Sequence, residues 1–151
     1  MILWNRILVG VDEGEASLGA VRYLAAVLGG SNTSKVRLLA VFKPPDPDLE
    51  PDPGALETQA AERRLALEAR LAEAYHILVE ARLAQENVST DLVETNGRSI
   101  GETIMAEQAA GGYGTVVVGR RGMTKAEEFL FGSVSSNVVH QATDCCVWVV
   151  A

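Results

Sequence analysis

Three glycines and a serine near the carboxyl end carry the clearest chemistry of this chain: Gly119-Arg120-Arg121-Gly122, nine further residues, then Gly132-Ser133. The run directly follows Thr115-Val116-Val117-Val118, a short apolar stretch with the composition of a buried strand. Glycine has no Cβ, so the backbone turns tightly there and aims amide N–H groups into a shared anion nest. Gly132-Ser133 opens a second apolar-periodic segment, Val134, Val138, Val139 and Ala142, which places further amides at a helix N-terminus. Ser133 suits the N-cap position, and its hydroxyl also suits phosphate or a phosphate-bound metal. Arg120, Arg121 and Lys125 make the first half of the loop basic, although Glu127 and Glu128 follow. The chemistry on offer is anion binding.

A second candidate sits far away in sequence. Asp12 follows the apolar run Ile7-Leu8-Val9-Gly10-Val11. A carboxylate at a strand end can bond a ribose hydroxyl or a base amino group, or it can cap the helix that begins after Glu13. Ser135 is read either as part of the site or as a solvent-facing residue. Nothing resembles a catalytic set: His76 falls in a long charged helix, His140 near the end of the last helix, and neither has a nucleophile at a fitting spacing. Cys145-Cys146 lack the further ligands of a metal set and read as small packing residues. The pattern GxxxxGK[ST] is absent, so P-loop hydrolysis is not indicated. These residues point to binding rather than catalysis, with at most weak ATPase activity.

The elements that must position these groups follow from apolar patterning. Strands are expected at Ile7–Val9, Val36–Phe42, Val88–Val93, Thr115–Val118 and Val147–Val150, rich in β-branched residues and buried on both faces. Between them, spacings of three and four mark helix faces: Leu18, Val21, Ala25, Leu28; then Leu67, Leu71, Ala74, Leu78, Ala81; then Ile100 and Ile104. Strict alternation of strand and helix predicts an α/β fold, a parallel sheet with helices on both faces and right-handed crossovers. Ligands of such sheets bind outside the carboxyl ends of the strands, where the strand order reverses. If the first and fourth strands are neighbours, Asp12 faces the glycine loop. The proline-rich acidic stretch from Lys43 to Pro53 reads as a loop into the second helix.

Bulk properties narrow the partners. A chain of 151 residues with 48% hydrophobic residues reads as a single domain, 1–151. Thirteen Lys and Arg against twenty Asp and Glu leave a net charge of −7, which disfavours nucleic acid and anionic membrane. No segment has the length of a membrane span or the architecture of a signal peptide, and two adjacent cysteines offer no disulfide framework. A cytoplasmic location is expected.

The glycine and serine spacing, its valine strand and the following Val134-Ser135-Ser136-Asn137-Val138-Val139 resemble the ATP-binding branch of the universal stress protein family. The likeness extends over the chain: Ile7 to Asp12 looks like that family's first strand, Ser17 falls where its first helix begins, and Val147 to Val150 looks like its last strand. The resemblance implies an open five-stranded parallel sheet, Rossmann-like and of the adenine nucleotide alpha hydrolase-like kind, in strand order 3-2-1-4-5. It implies that Val11, Asp12 and Val41 hold adenine and ribose. Gly119, Gly122, Gly132, Ser133 and Val134 would then line ribose and phosphates, with Arg121 and Ser135 completing the candidate set. It further implies ATP as ligand with Mg2+ or Mn2+ held through the phosphates, a homodimer through residues 147–150, and a role in stress responses. Arg120 stands where a small serine is common in the family, and Cys146 where proline is common. An alternative is a dimerising adaptor whose nucleotide site is vestigial.

Overall fold

A computed structural model describes residues 1–120 and 134–151. Five strands, β1 (Arg6–Val11), β2 (Lys35–Phe42), β3 (Val88–Glu94), β4 (Thr115–Gly119) and β5 (Cys146–Val150), form one sheet in the order β3-β2-β1-β4-β5. Every neighbouring pair is parallel. The expected order, with β1 beside β4, is therefore observed.

Side chains along the inner strands alternate between two cores, as the period of two requires. Ile7, Val9, Val11, Leu38 and Ala40 face one side, where α1 (Glu15–Leu28) and α2 (Pro53–Glu80) supply Leu18, Val21, Leu24, Leu67, Leu71, Ala74 and Leu78. Leu8, Leu39, Val41, Val116 and Val118 face the other, covered by Ile104, Met105 and Val138 from α3 (Ile100–Gly111) and α4 (Val134–Gln141). The helix faces read from the sequence are the buried ones in α1 to α3, with Ala81 and Ile100 half-buried at their ends; in α4 Val138 is buried but Val139 is exposed.

Local chemistry sets the helix starts. Asp52 caps α2 by accepting from the Gly54 N–H at 3.1 Å, and Pro53 occupies the first helical position, where its missing N–H costs nothing. The proline-rich loop thus ends inside the helix. Ser99 and Glu102 form a reciprocal capping box on α3. In contrast, α1 starts at Gly14, which has no side chain to cap it.

Burial on both faces holds for β1, β2 and β4 but not for the edges. In β3, Ser89, Thr90 and Asp91 are exposed, and in β5 Cys146 and Val149 are exposed. An edge strand lacks one neighbour and part of the helical cover, which sequence composition does not register. Arg37 ties the β3 edge down: its guanidinium pairs with Asp91 on β3 and Glu107 on α3, both at 2.7 Å. Burial alone would lower its pKa, but the hydrogen bonds it donates to the two carboxylates outweigh that and hold it above the ordinary arginine value.

Candidate functional site

The turn from β1 into α1 forms one wall of a cleft. The Asp12 carboxylate accepts from the Gly14 N–H at 2.8 Å, which fixes the carboxylate across the uncapped start of the helix. Ser17, only 4% exposed, accepts from the Asp12 N–H at 3.2 Å and shares its own hydrogen between the Asp12 and Gly14 carbonyls at 3.2 and 3.1 Å. Asp12 is therefore not the N-cap, which is Gly14; its carboxylate ties the turn that enters α1 and stands at the end of β1 on the cleft wall.

The opposite wall comes from β4. A Cβ built on Gly119 would lie 2.4 Å from the Ala16 carbonyl oxygen and 2.9 Å from the Ser17 nitrogen. Glycine is needed here because the strand end rests directly on the first turn of α1, a reason independent of any phosphate. Arg120 continues the ladder, its N–H donating to the Val150 carbonyl at 2.8 Å, with its side chain exposed.

Between these walls lies a solvent-open cleft at the carboxyl ends of the strands, the place where open parallel sheets take ligands. Six candidate residues line it together: Val11, Asp12, Val41, Gly119, Val134 and Ser135. Ser135 is 6% exposed, so it is not solvent-facing. The other four, Arg121, Gly122, Gly132 and Ser133, lie outside the described residues.

Several lining residues escaped the sequence reading: Gly10, Ser17, Leu39, Ile100, Ile104 and Val118. Ile100 and Ile104 form the helix face that their spacing predicts; periodicity identifies a face but not that it lines a cleft beside a neighbouring strand end. Leu39 and Val118 belong to the buried strand runs and carry no separate mark. These side chains make an apolar slot with Asp12 at its rim, the lining that suits a flat heteroaromatic ring carrying polar edges. Beyond Asp12 and Val41 the surface continues past Glu13 to Lys43 and Arg63.

The remaining reactive groups lie elsewhere. His76 is exposed beside Tyr75, and His140 bonds the Ser136 carbonyl at 2.7 Å. Cys145 packs against the α3–α4 core, where burial raises its thiol pKa, while Cys146 is exposed rather than packed. Among the described residues no group of three or more His, Cys, Asp or Glu could hold a metal ion. No helix among them is long and apolar enough to cross a membrane.

Comparisons place this geometry among known proteins. No curated protein matches the chain significantly. Among solved structures, the fold is similar to the universal stress protein UspA from Lactobacillus plantarum, with a TM-score of 0.73 and 20% identity over 98% of each chain. It is also similar to a universal stress protein in complex with cAMP, at a TM-score of 0.72 and 20% identity over 97% of this chain and 96% of that one. A member from Burkholderia pseudomallei gives 0.71 and 18% over 97% and 96%. At such identities the likeness speaks for the fold. The sequence profile of the Universal stress protein family, however, matches residues 4–151, and with the parallel sheet in the order β3-β2-β1-β4-β5 it establishes that this chain belongs to the universal stress protein family.

Proposed function

We propose that this chain binds an adenine nucleotide, ATP in the first place, in the cleft between the carboxyl ends of β1 and β4, and uses it as a signalling or stabilising ligand in a stress response in the cytoplasm. One observation carries the reading: an apolar slot rimmed by Asp12 lies where the strand order reverses, the position at which open parallel sheets take nucleotides. Leu39, Val41, Ile104 and Val118 would receive the base, with Asp12 bonding ribose or the adenine amino group. Gly119, Val134 and Ser135 would border the ribose. Arg121, Gly122, Gly132 and Ser133 enter this proposal through the sequence alone, as the phosphate half. Mg2+ or Mn2+ would arrive on the phosphates and neutralise their charge. The cAMP-bound relative is consistent with an adenine nucleotide as the ligand class.

Thermal unfolding with millimolar ATP, ADP, AMP or cAMP and Mg2+ tests the reading. At a hundredfold excess over Kd, linkage stabilises by about 2.7 kcal/mol, a rise of about 5–11 °C for a domain this size. No shift with any of the four refutes it.

A second reading, compatible with the first, is a homodimer through β5. It rests on Tyr23, Val27 and Val149, all more than 40% exposed, around Trp148 on a sheet edge. Tyr23 and Trp148 meet edge to face with centroids 6.5 Å apart. An apolar edge of this kind is an aggregation hazard unless paired.

A further inference from the structure

We propose that Ser17 is a positioning residue that sets the Asp12 carboxylate in the cleft and couples it to the end of β4; the ligand side of this inference rests on the nucleotide reading above. The β1–α1 turn has an unusual problem to solve. Its N-cap is Gly14, without a side chain, so nothing at the cap position itself fixes how the strand enters the helix. Ser17, at the third helical position, supplies the missing tie from below. Its hydroxyl takes the Asp12 N–H and returns its own hydrogen to the Asp12 and Gly14 carbonyls. This is the logic of a capping box, in which the third residue reaches back to an amide ahead of the helix, but the amide reached belongs to the candidate ligand residue.

Ser17 is 4% exposed and lies on the cleft wall, so losing its hydroxyl leaves the Asp12 N–H with a poorer partner. The backbone of Asp12 is held on both its N–H and its carbonyl, and its carboxylate accepts the 2.8 Å bond from the Gly14 N–H, so the whole residue is tied into the turn that Ser17 organises. The same first turn supports the other wall: the place a Gly119 Cβ would occupy is 2.4 Å from the Ala16 carbonyl oxygen and 2.9 Å from the Ser17 nitrogen. One peptide, Ala16–Ser17, therefore sets the separation between Asp12 and the strand from which the glycine loop departs.

A double-mutant cycle on the full chain, read by calorimetric titration with MgATP, tests the coupling. Ser17→Ala is expected to weaken binding about tenfold in the wild-type background and less than about twofold in Asp12→Ala, because a positioning residue has nothing to position once its carboxylate is gone. Ser17→Thr, which keeps the hydroxyl, is expected to restore most of the affinity lost in Ser17→Ala. Equal weakening in both backgrounds, or none in either, overturns the proposal. Amide hydrogen exchange without nucleotide provides an independent arm: Ser17→Ala should release both the Asp12 and the Gly14 N–H, the second through loosening of the carboxylate. Unchanged Gly14 protection overturns the positioning role. If the wild-type chain binds no MgATP, ATP falls as the ligand and the exchange result still decides for or against Ser17.

Discussion

Replacing Gly119 by alanine isolates the contact on which the shape of the cleft depends. The added Cβ would stand 2.4 Å from the Ala16 carbonyl oxygen, 2.6 Å from its carbonyl carbon and 2.9 Å from the Ser17 nitrogen. All three are backbone atoms, so no side-chain rotation relieves the clash. The strand end and the first turn of α1 must separate by roughly 1 Å to reach ordinary contact, the kind of overpacking that costs about 1–3 kcal/mol. Removing glycine's extra freedom from the unfolded chain returns about 0.4–1 kcal/mol. With the overpacking cost at the middle of its range, about 2 kcal/mol, the net loss of about 1–1.6 kcal/mol corresponds to a fall in Tm of about 2–6 °C at this chain length. Gly10 is the internal control, since its Cβ would meet side-chain methyls first, Ile104 Cδ1 at 3.3 Å and Val118 Cγ1 at 3.4 Å, with the backbone oxygen of Val117 only at 4.0 Å. Differential scanning calorimetry of the two variants without nucleotide should therefore show Gly119→Ala well below Gly10→Ala. A Gly119→Ala protein within about 1 °C of wild type would refute the claim that β4 rests on the α1 turn.

Four further outcomes are expected. Arg37→Met leaves Asp91 and Glu107 without their shared cation; because both carboxylates are partly solvated, with side-chain exposures of 51% and 31%, the loss in chemical denaturation should be modest, about 1–2 kcal/mol. Iodoacetamide followed by peptide mass spectrometry should label exposed Cys146 well before Cys145. The raised Cys145 pKa means that the native state keeps its proton to higher pH than the unfolded chain. Its stabilising effect is complete below the ordinary thiol value and declines as pH rises above it, so Tm should fall with alkaline pH less steeply in Cys145→Ala. Val149→Lys places a charge on the β5 edge at a residue 42% exposed, so the fold should survive; multi-angle light scattering should then report a monomer where the wild type is a dimer, and a wild-type monomer would remove the dimer reading.

The architecture was legible because burial leaves a periodic trace. Val116 to Val118 read as a strand because both faces need apolar residues, and Leu67, Leu71, Ala74 and Leu78 read as one face of α2 because 3.6 residues per turn brings them together. Half of the cleft was legible for a different reason: Asp12 and Gly119 stand at strand ends, and topology places strand ends side by side. Edge strands were harder. Val88 to Val93 read as buried, yet Ser89, Thr90 and Asp91 face solvent, because exposure at an edge depends on a neighbour that is absent and absence leaves no mark in composition.

By itself the sequence determined the order of strands and helices, the buried faces of the first three helices and the family, all of which depend on residue type and local spacing. Only the tertiary structure decided that Ile100 and Ile104 line the cleft, that Ser17 ties Asp12 rather than merely opening a helix, and that Gly119 is glycine because a helix turn lies against it. Those facts are distances between segments remote in sequence, or across a turn whose course packing decides, and neither periodicity nor residue type encodes the separation of two backbones.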